Sequence, residues 1–391
     1  MPAPADRATL EASLREALAE AHERGGSTLV SVTVPFACED PVATVFASRR
    51  AGEPFFCWEQ PDRDLRLAAL GRVHEVSSRG EDRFVEVAAD CAHLSGEAVT
   101  RGTGGFTTGP VWTGGFSFHP EGTATGAPAD PAWSSFEPAS MILPELAIQS
   151  SPAGTFLTVN LMTGPGSGRE ANLEGALARV SGLVHPELPM IDPHPAMAPQ
   201  IESALSPEAY EQSVARAVER IRAGEIEKVV LARKVVVRAG SAHDPAAIFG
   251  ALRIGFPSCF NFCVGTGEAA FIGASPELLL RCVGRGVATV GLAGSTRRSS
   301  DPAVDDHLAQ QLLTSPKDRG EQAVVVRRIV KSLSRISVWV EAADEPEIIK
   351  VANIQHLGTP VYAQLAQPRT AIELAGLLHP TPAVGGEPWK K

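Results

Sequence analysis

Apolar residues recur every three or four positions over 8–24, where Leu10, Leu14, Ala17, Leu18 and Ala21 form one stripe, and that period predicts an amphipathic helix. From Thr28 to about Val180 the pattern changes to short β-rich runs: TLVSVTVPF, ATVFAS, FFCWE, EVSS, FVEVAA, GGFSF, MILPELAI and TFLTVNL. Glycine and proline punctuate them, as in GTGGFTTGPVWTGG and GTATGAPADPAW, which predicts an antiparallel sheet lobe. TGPGSGR (163–169) reads as a loop before a short helix, and the proline-rich HPELPMIDPHPAMAPQ (185–200) as a linker.

Beyond 205 the signals sharpen. Ser206-Pro207 is a helix cap with proline at the first position, Tyr210, Val214, Ala217, Val218 and Ile221 follow at helical spacing, and Gly224 stops the helix. EKVVLARKVVVRA (227–239) is apolar on both alternating faces and predicts a central strand covered on both sides. A helix at 245–253, strands at 259–266, 269–281 and 286–293, and helices at 302–314 and 316–336 come next. The remainder reads as a strand at WVEA, a short helix at 347–351, a strand at HLGTPVYAQL and a helix at 370–378. Helices and strands in blocks, without βαβ alternation, predict an α+β chain of two lobes, 1–200 and 201–391.

Composition narrows the function. The net charge of −10 argues against nucleic acid as a partner, because phosphate contacts need clustered Lys and Arg. No run approaches the ~20 apolar residues of a membrane span, and the acidic N-terminus lacks the apolar core of a signal peptide. Six scattered cysteines read as buried reduced thiols, so a cytoplasmic location is expected.

Four places offer chemistry. Glu321 falls four residues before Val325 on the helix capped by Ser315, so its carboxylate shares a face with the apolar stripe Val325, Ile329, Val330, Leu333 and Ile336. There it is either paired or metal-bound, or it reaches solvent from the first turns. Lys228 heads the central strand, where burial favours its neutral, basic form; from the pattern alone a strand-end lysine reaching water is the commoner case. Glu277 follows a Ser275-Pro276 break and precedes three leucines, a setting that holds a carboxyl protonated unless it sits at a solvated edge. The loop GLAGSTRRSS (291–300) has the glycines, hydroxyls and arginines of an anion cradle or of an ordinary charged turn.

In order and context these places match one family. EKVVLARK (227–234), FIGASPELLL (271–280), VGLAGSTRR (290–298), SPKDRGEQ (315–322), IQHLGT (354–359) and HPTPAVGGEP (379–388) resemble the chorismate-utilising enzymes, above all isochorismate synthases. The resemblance implies a two-lobed chorismate-binding fold with antiparallel sheets flanked by helices. It implies Lys228 as the base activating water for attack on C2 of chorismate, and Glu277 as the acid protonating the departing C4 hydroxyl. Glu321 would be a ligand of Mg2+, and Gly294, Ser295 and His356 would line the substrate pocket. Ammonia-using branches typically carry glutamine where this chain has Lys228, and a lysine-nucleophile branch has lysine where this chain has Ala293. Lys228 with Ala293 therefore points to water as nucleophile, with salicylate synthase as the near relative. The product would feed siderophore or menaquinone synthesis, and a monomer is expected.

Two departures stand out. Gln322 occupies a position where the family usually has histidine. The chain also ends at EPWKK, where relatives continue with a second Mg2+ carboxylate, an arginine and a glycine-rich loop. The expectation is a C-terminal truncation after Gly386, and the alternative function is an inactive relative that binds ligand weakly.

Overall fold

The computed structural model describes residues 4–388 apart from 103, 105–108, 123–130, 165, 167 and 193–197. Parts of the punctuating glycine-rich segments, of the 163–169 loop and of the 185–200 linker, and the last three residues, thus lie outside the described residues. The fold is α+β, with mixed and antiparallel sheets flanked by helices. The chain divides into two compact units, Met1–Ile191 with Asp244–Ser275, and Asp192–His243 with Pro276–Lys391. The division interleaves where one boundary at residue 200 is expected: the helix and hairpin over 244–275 belong with the first unit.

In the first unit the helix Pro4–Arg24 buries the expected stripe from Leu10 to Ala21. Its core is shared with an eight-stranded sheet of order Ala270–Ser275, Phe260–Gly265, Phe55–Gln60, Leu65–Leu70, Leu146–Ser151, Gly154–Thr163, Thr28–Pro35 and Val99–Arg101. Only the last pairing is parallel.

Two runs expected as strands are helices. ATVFAS lies in the helix Pro41–Ser48, because Asp40 caps it by accepting from the amides of Val42 and Ala43, and Pro41 fits its first turn. FVEVAA lies in the helix Arg83–Gly96, whose Phe84, Val87, Ala88 and Cys91 are buried at helical spacing. The β-branched residues lose there to the longer period, which buries one continuous stripe. Arg253, on the helix Pro245–Gly255, donates to both carboxylate oxygens of fully buried Glu59 at 2.8 Å and to the Asp40 cap at 2.5 and 3.1 Å.

The second unit is built on an antiparallel sheet of order Arg281–Val283, Gly286–Arg297, Ile354–Leu365 and Ser337–Ala342, with Glu347–Lys350 also paired to Ile354–Leu365. The helix Pro316–Leu333 packs Val325, Ile329 and Leu333 against Val287, Val361, Ala363 and Leu365 of this sheet and Leu374 and Leu378 of the helix Ala371–Leu378.

Three expectations are corrected here. Residues 347–351 give a strand, since a lone turn without a cap is a poor helix nucleus and the Ile348-Ile349 pair fits a sheet. The 269–281 strand breaks at Pro276, which has no N–H for a ladder, so Ala270–Ser275 and Arg281–Val283 are separate. The covered central strand over 227–239 is instead two short strands, Lys228–Val229 paired with Gly386–Glu387 and Val235–Arg238 paired with Gln200–Ser203. With so few neighbours, Val230, Val235 and Val237 stay exposed by 41%, 41% and 46%.

Candidate active site

Every candidate residue, Lys228, Glu277, Gly294, Ser295, Glu321 and His356, falls in the second unit. The strands Gly286–Arg297 and Ile354–Leu365 run in register from Gly286↔Gln364 to Ala293↔Leu357, and then slip at Gly294 so that Ser295 faces His356. Gly294 has φ of +76°, and a Cβ there would stand 3.0 Å from the Asp318 Cβ. Glycine is therefore required both by the turn and by the helix beside it. The slip, a β-bulge that re-aims the side chains beyond it, brings the Ser295 hydroxyl 2.7 Å from His356 Nδ1. Burial pushes the His356 imidazole toward its neutral form, and its buried Nε2 has no hydrogen-bond partner among the described residues.

The helix start expected at Ser315 is present. Its hydroxyl accepts from the Asp318 amide at 3.3 Å and donates to the Asp318 carboxylate at 2.5 Å. Glu321 follows one turn later, partly exposed, with Lys317 Nζ 3.2 Å from its Oε1. Gln322, next to it, is buried and donates to Gly291 O at 3.3 Å and Thr359 Oγ1 at 2.5 Å. These two hydrogen bonds tie the helix to the strands Gly286–Arg297 and Ile354–Leu365.

Lys228 is buried, 8% exposed, and its Nζ donates to the carbonyl oxygen of Pro382 at 2.9 Å. Burial lowers its pKa, against the opposing fields of Glu321 and Glu277, with Lys317 adding to the lowering. Glu277 is half-buried in the proline-broken segment, and burial raises its pKa, against the field of Lys228. A lysine pushed toward the neutral amine and a carboxyl pushed toward the neutral acid therefore lie within each other's electrostatic reach. Such opposed displacement is how one site supplies both a base and an acid near neutral pH.

Two partners, Lys317 and the Pro382 carbonyl, lie outside the candidate residues. Lys317 lies inside the quoted SPKDRGEQ string and was visible as an i,i+4 partner of Glu321. The Pro382 carbonyl is a backbone group, so no residue type announces it.

Residues 16–391 match the model of the chorismate-binding enzymes, and the chain belongs to that family. The match spans nearly the whole chain. The chain is 31% identical over 379 residues to the salicylate biosynthesis isochorismate synthase of Pseudomonas aeruginosa, covering 97% of this chain and 77% of that protein. It is 28% identical over 397 residues to isochorismate synthase MenF of Bacillus subtilis, covering 98% of this chain and 81% of the relative. In fold it is similar to MenF, the menaquinone-specific isochorismate synthase of Escherichia coli, with a TM-score of 0.73 at 22% identity over 97% of this chain and 81% of the other. It is thus an isochorismate synthase-like chorismate enzyme. No helix among the described residues is long and apolar enough to cross a membrane.

The family is magnesium-dependent. Among the described residues no three of His, Cys, Asp and Glu come together as a metal-holding group. Glu321 offers a carboxylate, one oxygen of which, Oε1, lies 3.2 Å from Lys317 Nζ. Mg2+ is usually held by one or two carboxylates while waters and substrate oxygens complete its octahedron, and Glu321 could supply one such carboxylate.

Proposed function

We propose that the chain converts chorismate to isochorismate, with Lys228 as base and Glu277 as acid. Lys228 Nζ takes a proton from the water that attacks C2 as the ring double bond shifts. Glu277 gives a proton to the C4 hydroxyl as its C–O bond breaks, so that it leaves as water. One water is consumed and one released, and a proton passing from Lys228 to Glu277 through solvent resets the pair. Gly294, Ser295 and His356 would line the ring pocket, with His356 Nε2 as a neutral hydrogen-bonding group for a substrate oxygen. Lys228 and Ala293, at the positions that separate the family's branches, support water as nucleophile.

The observation that carries this reading is the convergence of the two pKa values. Catalysis needs Lys228 without its proton and Glu277 with it. With the ordinary values of 10.5 and 4.5, almost none of the protein is in that form. Each pH unit by which the values approach raises the competent fraction about tenfold, the equivalent of ~1.4 kcal/mol.

The sign follows directly. On the acid side both groups carry protons and the base is lost; on the alkaline side both have given them up and the acid is lost. The kcat/KM profile for chorismate is expected to be bell-shaped, with its acid limb above 4.5 and its alkaline limb below 10.5. A profile flat across that interval contradicts the assignment.

A further inference from the structure

The last described residues wrap the proposed base. The strand Gly386–Glu387 pairs antiparallel with Lys228–Val229, in register Lys228↔Glu387 and Val229↔Gly386. The Glu227 amide donates to Glu387 O at 2.8 Å and the Val230 amide to Gly385 O at 2.9 Å, so the backbone is held on both sides of Lys228. A turn closes the segment from below: the amides of Val384 and Gly385 both donate to Thr381 O, at 3.2 and 3.1 Å. That turn presents the Pro382 carbonyl to Lys228 Nζ. The approach at Gly386 leaves no room for a side chain, since a Cβ there would lie 2.5 Å from Lys228 O and 3.1 Å from Val229 Cα.

We propose that residues 381–387 are the positioning device for Lys228, with the Pro382 carbonyl fixing Nζ and Gly386 permitting the close strand that fixes its backbone. One carbonyl acceptor leaves the other Nζ hydrogens and, in the neutral amine, the lone pair directed elsewhere, which aims the base. The charged groups whose fields act on the amine are Glu321, Glu277 and Lys317, and the Pro382 carbonyl accepts a hydrogen bond from it at 2.9 Å. The Pro382 carbonyl, held by the turn on Thr381 O, gives Nζ a fixed direction. Gly386 is thereby a positioning residue acting through Lys228, and its catalytic meaning rests on the reading of Lys228 as base.

The test reads Lys228 itself. The chain has seven lysines, so peptide mass spectrometry after brief acetylation with an N-hydroxysuccinimide ester resolves each one. In the wild-type protein Lys228 is expected to react more slowly than the exposed Lys234 and Lys331. Gly386→Ala is expected to raise the labelling of Lys228 relative to those two by about tenfold, as a locally opened amine would show. General loosening of the fold would raise all three together. Gly286→Ala, where a Cβ meets only Val283 O at 3.5 Å, is expected to leave the ratio unchanged.

An unchanged ratio in folded Gly386→Ala overturns the proposal. If that variant does not fold, Lys228→Met decides: hydrogen exchange at the Val384 and Gly385 amides is expected to quicken once the Pro382 carbonyl loses its donor. Unchanged exchange there overturns the proposal as well. Should Lys228→Ala retain activity on chorismate, the base assignment fails while the labelling result still stands or falls alone.

Discussion

Replacing Lys228 by alanine is expected to lower kcat/KM for chorismate by about 10²-fold or more, the usual range for loss of a general base. The amine is 8% exposed and held at 2.9 Å by the Pro382 carbonyl. Truncation also removes a buried group whose acceptor is a backbone carbonyl, which costs about 1–3 kcal/mol when left unpaired. The rate is therefore compared with the thermal midpoint of the same preparation. A folded variant that turns over chorismate near the wild-type rate refutes the assignment.

Glu277→Gln carries the second large effect. The amide keeps the size of the carboxyl and can donate a hydrogen bond but cannot release a proton, so a fall of about 10²-fold or more in kcat is expected. Because burial already holds this carboxyl toward its neutral form, the neutral amide is well tolerated at the site and the thermal midpoint should hold. Product chromatography against time measures the rate, and comparable isochorismate formation by Glu277→Gln would mean that another group donates the proton. The two variants also differ in pH response: without Glu277 the alkaline limb disappears, and without Lys228 the acid one does.

Much of the second unit was legible because local and global signals agree there. Ser315-Pro316 starts a helix, and Val325, Ile329 and Leu333 then bury at the spacing that the sequence shows. The same agreement holds for Thr370 and Glu373, which form a capping box at the next helix. Where signals conflict, the reading of apolar runs failed. ATVFAS is β-branched and aromatic, yet Asp40-Pro41 ahead of it settles the helix, and EIIK lacks any such cap and joins a sheet. The run EKVVLARKVVVRA looks like a covered strand because strand apolarity reports potential burial. How many neighbours a strand finds is a tertiary matter, and Val235 and Val237 find few.

Of the site, the titratable side chains were legible as types in tension with their surroundings: a lysine in an apolar strand and a glutamate after a break. Their roles came from six strings in a fixed order. What the sequence does not carry is the backbone chemistry. The slip at Gly294 that turns Ser295 toward His356, and the Pro382 carbonyl that holds Lys228, depend on how distant segments meet.

The central claim is that water, activated in this unit, becomes the C2 hydroxyl of the product. Its most direct test is to incubate the 391-residue protein with chorismate and Mg2+ in water enriched in the heavy oxygen isotope, and to analyse the products by chromatography and mass spectrometry. The account predicts isochorismate carrying one solvent oxygen, at C2, and none of this product from the Lys228→Ala protein on the same time scale. Unlabelled isochorismate, or a product formed only when ammonia is supplied and bearing nitrogen at C2, would contradict it.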